Sequence, residues 1–241
     1  MRGGWLPALL LLCCACTDEQ TPACLRSAGA VTREVRPTEL YYEIQLHEGV
    51  NVFLTDDTTF DVTVETGAGL LPRVVTECRE GILTIRNENR CNWVRRYDVP
   101  LNVYVSARAL RHLFHYGWGH VATTAPWRAD YMGLVNYGAG SMDLDIYPRR
   151  FVRLDLNALG DVRLRGAAPR GEFIVQDVGA LHAFALDLEV CRINSTAPVA
   201  TEVSGRDSLQ AFISGSGDVY YAGQPNHVAL TRTGSGRLIE R

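Results

Sequence analysis

The 241-residue sequence predicts an all-β fold, a parallel β-helix or solenoid with rungs of about 20 residues. Three observations predict it. First, Gly119, Gly140, Gly160, Gly179, Gly217 and Gly236 each open a similar short segment, with successive gaps of 21, 20, 19, 38 and 19 residues. Second, the second and fourth residues after each glycine are mostly apolar and the third mostly polar, the period of two of a strand with one buried face. Third, no stretch of a dozen residues carries the 3.6-residue periodicity of an amphipathic helix.

The elements follow in order. A gap of 38 is two steps of 19, and the copy expected between Gly179 and Gly217 begins at Ala197. The positions two after each glycine then read as an interior stack: Val121, Met142, Val162, Leu181, Val199, Val219 and Leu238. A second apolar run precedes most glycines, as in LRHLF at 110–114, FVRLDL at 151–156 and LQAFI at 209–213. The glycines are expected at tight corners with positive φ, which glycine adopts without steric cost. Seven rungs rising about 4.8 Å each would make a prism of about 34 Å. The register also sets Asp143 and Asp145 beside Arg163 and Arg165 on the next rung, as outward charge ladders.

Upstream, LYYEIQL at 40–46, VNVFL at 50–54, FDVTVE at 60–65, GILTIR at 81–86 and LNVYV at 101–105 read as strands. Asp56, Asp57, Gly67 and Gly69 punctuate them as turn formers. No Pro- or Gly-rich linker separates this part from the repeats, so residues 24–241 are expected to form one domain.

Residues 1–15 combine a basic start with a short apolar run ending at Ala15-Cys16, the pattern of a lipoprotein-type export signal. Cys16 is the expected lipidation site and 16–23 a polar tether, which places the chain on a bacterial cell envelope, at the outer membrane or cell surface. The membrane is then a partner through the N-terminal lipid.

The formal net charge is −3, and all 24 basic residues are arginine. No basic stripe suits nucleic acid, and the absence of lysine excludes lysine Schiff-base chemistry. Cys24, Cys78, Cys91 and Cys191 follow the signal segment in a chain expected to be exported, and their pairing is open. No C-x-x-C pair marks a zinc site, and Gly-Asp turns at Asp161 and Asp218 are too few for a calcium β-roll, so neither metal nor cofactor is expected. His112, His115 and His120 form no H-E-x-x-H, and there is no G-x-S-x-G elbow. The segment Cys91-Asn92-Trp93 reads as a corner or a sugar-stacking platform.

The runs ISGSGDVYYAG at 213–223 and TGSGRL at 233–238, with VNVFLT at 50–55, GILTIRN at 81–87 and CNWVR at 91–95, resemble the head-GIN-domain family of putative auto-transporter adhesins. Trp118, where relatives tend to carry a small residue, departs from that pattern. The resemblance implies a β-helical or related all-β fold at the cell envelope and carries no catalytic residues. The expected function is therefore a non-enzymatic, lipid-anchored envelope protein whose β-helix presents a surface for adhesion or assembly. Its contacts would be glycans or envelope proteins, with Tyr116, Trp118 and Tyr137 as candidate ligand-binding residues. The alternative is a polysaccharide-binding or polysaccharide-cleaving β-helix protein.

Overall fold

The computed structural model describes residues 28–89 and 99–241. Cys16, Cys24, Cys91 and Trp93, with the expected signal segment and tether, lie outside those residues. The strands are β1 (Val31–Arg36), β2 (Glu43–Leu46), β3 (Asn51–Thr55), β4 (Val62–Gly67), β5 (Val74–Arg79), β6 (Ile82–Asn87), β7 (Asn102–Ser106), β8 (His112–His115), β9 (His120–Thr123) and β10 (Trp127–Asn136). They continue with β11 (Ser141–Leu156), β12 (Val162–Val175), β13 (Leu181–His182), β14 (Leu186–Ser195), β15 (Thr201–Ser204), β16 (Ser208–Ile213), β17 (Val219–Ala222), β18 (His227–Arg232) and β19 (Leu238–Glu240).

These strands coil into a parallel β-solenoid with three faces. The first face stacks β6, β2, β8, β10, β11, β12, β14, β16 and β18 in that order. Its eight inter-strand steps of about 4.8 Å make it about 38 Å long. The second face stacks β7, β3, β9, β11, β12, β13, β15, β17 and β19. A short third face joins them, where Trp127 pairs with Ile146 and Gly166 with Leu186. β11 and β12 each contribute to all three faces, bending at both corners.

The core is a set of apolar columns. Leu83, Ile44, Leu113, Leu134, Leu154, Phe173, Ile193 and Ala211 stack one per rung along the first face, and all are buried. Burying a Leu- or Ile-sized side chain contributes roughly 1.5–3 kcal/mol, so such columns outweigh the exposed ion pairs.

The order of the first rungs departs from sequence order. β2 and β3 form one rung, yet β6 and β7, which come later, stack on its outer side. β1, β4 and β5 pair antiparallel against this end and close it. The chain then crosses back, fixed by the Tyr41 hydroxyl, which donates to the Ser106 carbonyl at 3.0 Å. Strand patterning locates each strand but not which side of a neighbour it joins.

Two expectations about the repeat are corrected. His182 pairs with Glu202, which sets Leu181 beside Thr201, and Thr201 pairs with Val219. The interior stack therefore contains Thr201, not Val199, and the 38-residue step divides as 20 and 18. Val199 instead takes the corner position, with Gly217 lying over its carbonyl. Corners can gain or lose residues without disturbing the ladder, so spacing alone cannot divide the step.

The corner glycines also do not sit at positive φ; among the described glycines only Gly29, Gly81, Gly166 and Gly223 do. Their reason is close approach. A Cβ at Gly140 would overlap the Gly119 carbonyl oxygen, and one at Gly160 the Gly140 oxygen. Successive corners are packed backbone on backbone.

The Asp143–Arg163 and Asp145–Arg165 register is as expected. The ion pair itself runs diagonally, from Arg165 to Asp143.

Candidate binding face

Outward positions alternate with the core columns on the first face, so its chemistry follows from the register. Glu43, His112, Gly133, Arg153 and Glu172 form one outward row. Gln45, Phe114, Val135 and Asp155 form the next. Tyr131 pairs with Phe151 nearer the third face, while Tyr116 and Tyr137 stand at the opposite edge.

The rings on these rows touch in a continuous strip. His47 stacks on Tyr116 at 5.2 Å between centroids, and Phe114 stacks on Tyr116 at 6.2 Å. Tyr116 lies 6.1 Å from Tyr137, and His112 meets Phe114 at 6.5 Å. His112 meets Tyr131 edge-on at 5.6 Å, and Tyr131 stacks on Phe151 at 5.9 Å. Tyr116, Tyr137 and Phe151 remain 41%, 48% and 37% exposed. Partial burial among these neighbours, with Glu43 and Tyr137 adding, pushes the Tyr116 phenol upward.

A notch opens in the strip at Gly133. With no side chain there, the row falls away between His112 and Arg153, and a Cβ would meet His112 Nδ1 at 2.6 Å. The resulting depression, about 270 Å³, is walled by His112, Tyr131, Val135, Phe151, Arg153 and Asp155. Apolar walls with a few polar groups on the rim are the usual make-up of a small-ligand site.

Tyr116 and Tyr137 thus stand together, whereas Trp118 does not join them. It is 62% exposed at the corner toward the second face, where its indole lies over Gly49. His112, Phe114, Tyr131 and Phe151 were missed at the sequence level. Their signal was present: Tyr131 and Phe151 are 20 residues apart, the rung length, on the strands preceding the glycines.

Two corner carboxylates are committed to the backbone. Asp161 Oδ1 accepts the Ala180 N–H at 3.0 Å, and Asp218 Oδ1 accepts the Arg237 N–H at 2.8 Å. Asn51 does the same for His120 at 3.0 Å, so this corner position caps the backbone of the following rung. His182 pairs with Glu202 at 2.9 Å and His120 with Ser141 at 2.8 Å. His115 is buried with both ring nitrogens unpartnered; burial first, and His120 second, push it down to about 4. Cys78 and Cys191 carry free thiols, and burial pushes Cys191 up to about 12. Among the described residues, no group of three or more His, Cys, Asp or Glu is placed to hold a metal ion.

Residues 40–225 match the family described as putative auto-transporter adhesin, head GIN domain. The chain belongs to the head GIN domain family. Its solenoid resembles the crystal structure of a putative adhesin from Bacteroides fragilis, with a TM-score of 0.80, 17% identity, and coverage of 88% of this chain and 97% of that one. A putative adhesin from Parabacteroides distasonis matches with a TM-score of 0.63 and 20% identity, over 88% of this chain and 98% of that one. A putative lipid binding protein from the same species matches with a TM-score of 0.61 and 18% identity, over 88% and 97%. At these identities the likeness is one of fold. No curated protein matches the chain. Among the described residues, no helix of this head GIN domain is long and apolar enough to cross a membrane.

Proposed function

We propose that this head GIN domain is a non-catalytic envelope adhesin, lipid-anchored at Cys16, that contacts glycan surfaces through the aromatic strip of its first face. One observation carries the reading: Phe114, Tyr116, Tyr131, Tyr137 and Phe151, joined through His112, form a connected strip of half-buried and exposed rings on a backbone fixed by parallel ladders on both sides. Exposed apolar patches of this kind mark interaction sites, and rings offer flat faces to the C–H faces of sugars. A rigid platform also loses little conformational entropy on binding. Family membership supports a cell-surface or envelope location.

A glycan array probed with the mature chain tests this. The expected result is binding to a set of saccharides that Tyr116→Ala with Tyr137→Ala weakens, without release of reducing or unsaturated ends. Product release would make the protein an enzyme, and binding to no saccharide would end the glycan reading. Metabolic palmitate labelling that persists in Cys16→Ala would refute the anchor.

A further inference from the structure

We propose that the corner between the first and third faces is a site for an acidic polysaccharide. The Gly133 notch would take a sugar ring, and an arginine cluster beside it the carboxylates. The inference rests on the reading of the first face as a glycan surface and adds a charge requirement to it.

Arg108, Arg111, Arg128 and Arg149, all exposed, surround a second depression of about 290 Å³ together with Asp130. Arg108 pairs with Asp56 at 3.1 Å and Arg149 with Asp130 at 3.7 Å. Arg111 and Arg128 have rings for partners instead. The Arg111 guanidinium lies 5.7 Å from the Tyr131 ring centre and that of Arg128 lies 4.8 Å from the Tyr147 centre. Among the described residues, neither forms an ion pair with a carboxylate. Four cations against two carboxylates leave the corner at +2 on a chain whose formal net charge is −3.

A guanidinium stacked on a ring keeps its N–H fork free in the guanidinium plane, where a carboxylate can accept two bonds at once. Arg111 joins the two depressions, because the ring it covers, Tyr131, is also a wall of the Gly133 notch. A chain of sugars leaving the Tyr131–Phe151 pair therefore passes directly onto unpaired cations. A further hollow of about 500 Å³, bordered by Thr55, Arg108, Trp127 and Arg128, extends that path. Neutral glycans would use only the rings, whereas a uronate polymer would use both.

Titration calorimetry of the mature protein with oligomers of galacturonate, mannuronate and glucuronate, and with their methyl esters, tests the charge requirement. At least one acid oligomer is expected to bind tenfold or more tightly than its ester, with affinity falling as salt rises. Arg128→Gln with Arg149→Gln, both on the surface, should abolish the preference, while Phe151→Ala should weaken acid and ester alike. Equal binding of acid and ester would overturn the inference yet leave the glycan reading standing. Failure of all three acids with retained binding to neutral sugars would do the same. Arginine-dependent binding to phosphatidylglycerol vesicles, with no acid oligomer competing, would assign the cluster to a membrane surface and also overturn it.

Discussion

Tyr131 and Phe151, 20 residues apart in sequence, are direct partners in the parallel ladder and stack ring on ring at 5.9 Å. The repeat that builds the core therefore also builds the surface. Any outward residue is set beside the residue one rung later, so chemistry scattered along the chain collects into rows.

Corner glycines should be the least replaceable residues. In Gly140→Ala the new Cβ would overlap the Gly119 carbonyl oxygen and the buried His115 ring. The expected loss is more than about 2 kcal/mol in chemical denaturation. Gly133→Ala meets only the His112 imidazole, which can swing away. It should cost less than about 1 kcal/mol while narrowing the notch.

Thr201 occupies a core position with its hydroxyl buried and unpartnered. Thr201→Val should stabilise the fold by about 1 kcal/mol, because the desolvated hydroxyl is removed with little change in shape. Urea midpoints of the two proteins check this.

Much of this was legible in the sequence. The rung length, the inward and outward alternation, and the Asp143–Arg163 neighbours all follow from periodicity, because a parallel ladder places equal spacings side by side. The phase at Thr201 was not legible, since 38 residues can divide unequally when one corner lengthens and the next shortens. The late stacking of β6 and β7 beneath β2 and β3 was hidden for a different reason: local pattern carries no information on which free edge a strand takes. Tyr116 and Tyr137 stood out as candidate aromatics, but Tyr131 and Phe151 lie on the strands before the glycines, where they line up only once the 20-residue step is carried across that second run as well.

Stability should fall in mild acid because of His115. Its folded value of about 4 lies below the unfolded value near 6.5, so the unfolded chain binds the proton more readily. The contribution is complete above pH 6.5 and is lost as pH falls toward 4. It amounts to about 3 kcal/mol at most. His115→Leu should flatten the melting-temperature profile across that window.

The Asp161 carboxylate caps the next rung by accepting the Ala180 N–H. Asp161→Ala should cost about 1 kcal/mol and speed hydrogen exchange at the Ala180 amide. Asp161→Asn, which keeps an acceptor oxygen, should restore most of the protection.

The most direct test of the central claim compares faces. Tyr131→Ala with Phe151→Ala alters the first face, and Arg163→Ala with His182→Ala alters the second; both pairs are measured for saccharide affinity on the same glycan array. The account predicts at least a tenfold loss in the first pair, at unchanged melting temperature, and no loss in the second. Equal affinities in the two, or loss confined to the second, would contradict it.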